Sequence, residues 1–307
     1  IWNASRFVLM NLTISRCALP EHLELEDKWI LSKLNSLIPQ VTENMDRYEL
    51  GVAAQKVYDF IWDSYCDWYI EMTKARLQGD DPAAKEGAQQ VLCYVLIEVL
   101  KLLHPFMPFI TEEIWQALPR RGDETGADYL MVQSWPQARP ELSFPAEERD
   151  MELVMDAIRA VRARRSEMNV PPSKKAHLTV ATLEQAAFTA GIPFLTRLAH
   201  ASDVTVTGIA AAGSSGQTAQ SGMVEVVTHA ARLFMPLAEL VDLDKERARV
   251  EKELKKNRAE LEKLEAKLNN PGFVNKAPAH VVEAERERAE KLRALLDQLT
   301  QTLGTFS

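Results

Sequence analysis

The sequence predicts a mainly α protein in three parts: a helical bundle, a small α+β module and an antiparallel coiled-coil hairpin. Three observations carry that prediction. Residues 1–143 hold four or five amphipathic stretches with short connections, the pattern of a bundle. Residues 144–238 combine one long helical pattern with short β-branched alternations, as strands require. Residues 239–307 carry a charged heptad pattern broken once, at Asn269-Asn270-Pro271-Gly272-Phe273.

The bundle reads in order. Phe7, Met10 and Ile14 share one face of a first helix. Leu25 to Leu37 forms a second, with Trp29, Ile30, Leu34 and Leu37 at three-and-four spacing and Pro39 just beyond its end. A third, Met45 to Leu77, carries the stripe Val57, Phe60, Ile61, Tyr65, Trp68 and Met72. Phe60, Trp62 and Tyr65 are expected in the core. Gly79-Asp80-Asp81-Pro82 is a turn and helix-start signal, and the fourth helix runs from it to His104. A short fifth opens near Pro108 and carries Ile114 and Trp115.

The module opens with a helix from Glu147 to Met168, stopped at Val170-Pro171-Pro172. His177 to Thr182 alternates as a strand. Leu183 to His200 is helical and split by Gly191 and Pro193. Val204 to Val206 and Met223 to Val227 are further strands. Between them Ala210 to Gly222 has nothing to bury and reads as a flexible hairpin loop.

In the last part Leu240, Leu243, Val250, Leu254, Leu261, Leu264 and Leu268 form one seam. Val282, Ala289, Leu292, Leu296, Leu299 and Leu303 form the other. Two such stripes joined by a Pro-Gly turn pair as a hairpin, with Phe273 and Val274 packing its tip. At ~1.5 Å per residue the first arm extends about 40 Å. Its only buried surface is its own seam, which suits a large partner and excludes a small-molecule pocket.

Composition narrows the class. An apolar fraction of 46% and a charged fraction of 26% are ordinary for a globular chain. The longest apolar run, Val91 to Leu103, is interrupted by Glu98 and Lys101, so no membrane span is expected. The chain starts at Ile1 without a signal-peptide pattern and reads as a piece of something longer. Cys17, Cys66 and Cys93 are dispersed in apolar contexts, as reduced thiols of a cytoplasmic protein are. The six histidines form no ligand-spaced group, so no metal is expected. Phosphate-loop, dinucleotide, nucleophile-elbow and zinc-protease motifs are all missing. No catalytic residues are assigned.

The net charge is −8, yet from Leu240 to Ser307 there are 14 Lys+Arg against 13 Asp+Glu. A nucleic-acid contact would therefore be local and shape-directed, without a broad basic face.

Three segments carry a family resemblance. Trp2-Asn3-Ala4-Ser5-Arg6-Phe7 resembles the start of the anticodon-binding bundle in class I aminoacyl-tRNA synthetases of the valine, isoleucine and leucine group. Leu103 to Trp115 is similar to that bundle's most recognisable segment, and Arg164 to Lys175 to the junction after it. The hairpin turn Asn270-Pro271-Gly272-Phe273-Val274-Asn275-Lys276-Ala277-Pro278 narrows the resemblance to the arm of the bacterial valyl group. The family's catalytic and editing domains have no counterpart here; Ser173-Lys174-Lys175 does not replace the KMSKS signature.

The resemblance implies the tRNA-binding portion of a valine–tRNA ligase, an ATP- and Mg-dependent enzyme when whole. It implies no cofactor for these residues alone, no enzymatic activity in isolation, tRNA(Val) as partner, and neither membrane nor DNA. A monomer is expected.

Anticodon bases are single-stranded and stack on aromatic faces. Asn3 and Phe7 hold the positions that the resemblance places at the anticodon, and Arg6 can bind a base edge or phosphate. The alternatives are core packing for Phe7 and for Asn3, and a helix-capping or ion-pairing role for Arg6. Trp68, Tyr69 and Lys74 follow as further candidates, Trp68 with core packing as its alternative. On the arm, stacking against the flat outer face of the tRNA elbow would be flanked by phosphate contacts. Lys252, Lys255, Lys256, Arg258, Lys263, Lys267, Arg286, Arg288, Lys291 and Arg293 supply the charge, a subset of them making contact and the rest forming solvated helix flanks. Two other readings stay open: the same region of an isoleucyl- or leucyl-tRNA synthetase, and a coiled-coil protein-interaction module.

Overall fold

The computed structural model describes residues 1–122, 128–209, 222–240, 243–269 and 279–304. The bundle comprises α1 (Trp2–Asn11), α2 (Leu25–Asp46), α3 (Leu50–Asp59), a π-helical stretch (Phe60–Tyr69), α4 (Ile70–Gln78), α5 (Pro82–Leu103) and α6 (Pro108–Ala117). α5 is its axis. From Val91 to Leu100 every residue is buried, as an all-round apolar helix must be. Asp81 starts it, accepting from the Ala83 and Ala84 amides at 2.9 and 3.3 Å with Pro82 at the first position. The buried Glu98 is met by Arg121 at 2.7 Å and Lys101 at 3.3 Å.

Four sequence expectations are corrected here. α2 continues through Pro39 to Asp46; burial of Leu37, Ile38 and Val41 outweighs a lost backbone bond. The expected third helix does not start at Met45, because Tyr48 adopts φ 59° and turns the chain between α2 and α3. Trp62 is 56% exposed. Phe60, Ile61, Tyr65, Trp68 and Tyr69 of the π-helical stretch face inward, and Trp62, off that stripe, is left outside, stacked parallel on Tyr58 at 6.3 Å. α1 ends at Asn11, short of Ile14, and Met10 lies on its exposed side.

In the module, α7 (Pro145–Glu167) precedes a sheet of β1 (Ala176–Thr182), β2 (Ala201–Gly208), β3 (Met223–Val227) and β4 (Ala231–Pro236), in the order β2-β1-β4-β3. β1 and β2 are parallel, joined through α8 (Gln185–Ala190) and α9 (Ile192–Leu198). β4 is antiparallel to both β1 and β3. The sequence reading missed β4, although Ala231, Leu233 and Met235 alternate inward; Arg232 and Pro236 obscure that alternation. The expected loop at 210–221 lies outside the described residues.

α7 packs on both α2 and the module. Toward α2, Glu147 meets Lys28 at 3.0 Å and Glu152 meets Lys33 at 3.2 Å. Toward α8 and α9, Val154 approaches Gly191 so closely that an added Cβ would lie 2.4 Å from its methyl carbon. Only glycine fits there.

After α10 (Leu237–Leu240) come α11 (Leu243–Leu268) and α12 (Ala279–Gly304), which pack along one another. Leu264, Val282 and Ala289 are buried between them. The turn residues Phe273 and Val274 lie outside the described residues. Among the described residues no helix is long and apolar enough to cross a membrane.

Candidate nucleic-acid interface

α1 sorts its residues by side. Ser5 and Val8 face the bundle, while Trp2, Asn3, Arg6 and Met10 are exposed. Trp2, Arg6 and Met10 follow one another at four-residue intervals, so they share a face. Phe7 is half-buried beside them, with the Lys74 ammonium 5.7 Å from its ring centre. Lys74 is itself anchored by Glu71, three residues earlier. Asn3, Arg6, Phe7 and Lys74 thus gather on one surface that offers an aromatic ring, two cations and an amide. Trp2 and Met10 extend it; neither was singled out from sequence, although their spacing from Arg6 signals it.

Trp68 and Tyr69 are not on that surface. Tyr69 is fully buried and donates its hydroxyl to Asp27 at 2.6 Å. Trp68 is 8% exposed, with the Arg159 guanidinium 5.1 Å from its ring centre. No base can stack on either face of these rings without opening the bundle. Their inward placement continues the stripe of Phe60, Ile61 and Tyr65 at three-and-four spacing.

Beneath α4 lies a buried charge cluster. Arg76 donates to Glu26 at 2.9 Å and to both oxygens of Asp27 at 2.8 Å. One guanidinium serves two carboxylates. Burial, and then the charge of Asp27, pushes the Glu26 carboxyl up to about 7. Burial also raises Asp27, against the pull of Arg76. The Asp27 carboxylate accepts from Arg76, Tyr69 and the Glu24 amide, bonds to its charged form that oppose the effect of burial. This cluster ties α4, which carries Lys74, to α2.

The ten arm cations divide. Lys267 meets Glu285 at 2.6 Å, Arg293 meets Glu265 at 2.6 Å, and Arg288 meets Glu260 across the two helices. Arg286 lies 3.8 Å from Glu283 on its own helix. Lys252, Lys255, Lys256, Arg258, Lys263 and Lys291 are exposed and, among the described residues, in no ion pair. Lys267, Arg288 and Arg293 spend their charge holding α11 to α12; the six cations unpaired among the described residues have theirs available for a polyanion.

Comparison with known proteins supplies the context. Residues 27–181 match the anticodon-binding domain of tRNA ligase, and residues 242–307 match the valyl tRNA synthetase tRNA binding arm. The chain is similar to the valine–tRNA ligase of Clostridium acetobutylicum, 44% identical over 311 residues covering 100% of this chain. It is likewise similar to that of Carboxydothermus hydrogenoformans, 43% identical over 100% of this chain, and to that of Geobacillus stearothermophilus, 45% identical over 97%. It spans 34% of the length of each of these relatives.

Proposed function

The chain belongs to the anticodon-binding family of tRNA ligases, and from that premise we propose that it is the tRNA-binding portion of a valine–tRNA ligase. The α1 face reads the anticodon loop of tRNA(Val), and the α11–α12 pair grips the tRNA elbow. The enzyme of which it is part joins valine to tRNA(Val) with ATP and Mg in the cytoplasm. Adenylate chemistry belongs to the rest of that enzyme; no residue here is assigned to it, and this chain alone is inactive and monomeric.

One observation carries the reading: a local aromatic–cation surface on the bundle stands in the same chain as a long helix pair with unpaired exposed cations. The two suit different parts of one folded RNA. An unstacked base laid on Phe7 gains ~1–3 kcal/mol, while Asn3 and Arg6 meet its edge and Lys74 the adjoining phosphate. On α11 and α12, Lys252, Lys255, Lys256, Arg258, Lys263 and Lys291 bind phosphates around the elbow. Their contribution is independent of base sequence.

Filter binding with tRNA(Val) and the same tRNA carrying an altered anticodon tests the proposal. The expected result is saturable binding to both, about tenfold tighter for the native anticodon, since one good base contact is worth ~1–3 kcal/mol. No measurable binding, or equal binding to the two, overturns it.

A further inference from the structure

Where α7 ends, positive charge collects without a carboxylate to meet it. Arg165 is 4% exposed, yet its guanidinium donates to backbone carbonyls: Lys174 O and, at 3.5 Å, Pro171 O. Both partners are neutral. Among the described residues neither Arg165 nor Arg162, Lys174 or Lys175 forms an ion pair; the neighbouring Arg164 takes Glu167 and Arg159 takes Glu152. Arg162 lies three residues before Arg165, on the same side of α7, and is exposed.

The sheet brings two more groups to this point. β1 and β2 begin in register at Ala176 and Ala201, so Lys175 and His200, one residue earlier on each, emerge side by side. His200 holds φ 55°, in the left-handed region that non-glycine residues adopt only under constraint. Burial first, and then the charges of Arg165, Arg162 and Lys175, keep its imidazole below its ordinary value. A neutral imidazole offers one N–H donor. The α7 C-terminus contributes about half a negative charge at most, too little to balance this group.

We propose that Arg162, Lys175 and His200, backed by the buried charge of Arg165, form a binding site for a backbone phosphate of RNA, a third contact beside the α1 face and the α11–α12 pair. Arginine matches phosphate oxygens with its planar fork. A buried guanidinium satisfied only by carbonyls gains a counter-ion it otherwise lacks. The ligand is a phosphodiester within a polymer: RNA already docked elsewhere on the chain presents it at high effective concentration. The proposal rests on the tRNA-binding reading above and adds the junction to it.

The test is the double variant Arg162→Gln/Lys175→Gln, both positions being exposed, measured by filter binding across a salt series with thermal melting as the fold check. Arg149→Gln, a cation of the same module paired with Glu184, is the control. The double variant is expected to melt like the parent and bind tRNA(Val) and an unrelated tRNA five- to tenfold more weakly at about 0.1 M salt. Its log–log salt slope becomes shallower by about 1–2, the release expected for one or two phosphates, while the control is unchanged. Unchanged affinity and slope in a double variant of a tRNA-binding parent overturn this site and leave the function standing. A parent chain that binds no tRNA overturns the function and this site together. Inorganic phosphate added at constant ionic strength should leave the difference between parent and variant intact; erasing it assigns the site to free phosphate and overturns the RNA assignment.

Discussion

α5 is buried on all sides from Val91 to Leu100, whereas among the described side chains of α11 only Leu264 is buried. The bundle gains stability by enclosing a wide apolar volume, and it holds Asn3, Arg6, Phe7 and Lys74 on a rigid support. The helix pair encloses a narrow seam and gains reach. Cross-pair contacts such as Lys267–Glu285 are exposed on the lysine side, and such pairs contribute little each. Under the proposed function, the contrast separates two tasks in one chain. Base discrimination requires groups fixed against a core; contact with a distant backbone requires length and charge.

The largest effect that can break this contrast is a core truncation. Trp29 is 1% exposed, so Trp29→Ala is expected to cost the bundle ~3–5 kcal/mol, against ~2 kcal/mol for Leu264→Ala in the seam. Chemical denaturation followed by circular dichroism measures both. Equal losses at the two sites would contradict the division.

Removal of residues 243–307 comes next. It is expected to weaken binding to several tRNAs alike by about 10- to 100-fold, the loss of a few phosphate contacts at moderate salt, with the bundle melting unchanged. A loss confined to tRNA(Val) would place base recognition on the helix pair.

A smaller effect sharpens the comparison through pH. The Glu26 carboxyl sits at about 7, above its ordinary 4.5, so the native state holds its proton more tightly than the unfolded chain. That contribution is fully present below about 4.5 and is lost as pH rises to about 7. Glu26→Gln should remove this slope and raise stability at pH 8 by on the order of 1–2 kcal/mol. Melting measured from pH 4 to 8 decides it, and an unchanged profile would refute the assignment. On the arm, Glu285 is held below the ordinary carboxylate range by Lys267; its neutralisation is expected to move melting little.

Much of this was legible in the residues because strong periodicity and strong punctuation agree. Asp81-Pro82 starts α5, and Gly191 and Pro193 split α8 from α9, as spacing alone indicates. Pro39 misled because helix propensity is local, while the burial that carries α2 past it is tertiary. Trp62 misled because its aromatic bulk suggested core, although it lies off the stripe of Val57, Phe60, Ile61, Tyr65 and Trp68 that three-and-four spacing places inward. On the interface, the motif at Asn3, Arg6 and Phe7 led to a surface, and the spacing of Tyr69 did not. Trp68 and Tyr69 lie three and four residues after the buried Tyr65, a spacing that points inward. The charge cluster at Arg165 was hidden for a different reason, since Lys175 and His200 become neighbours only through strand register.

The division of tasks is tested most directly by Phe7→Ala, with affinity measured for tRNA(Val) bearing its own and an altered anticodon. The variant is expected to lose about 1 kcal/mol or more of the parent's preference for the native anticodon, while its affinity for the altered tRNA stays at the parent's level. A variant that keeps the full preference, or that loses affinity equally for both, would contradict the account.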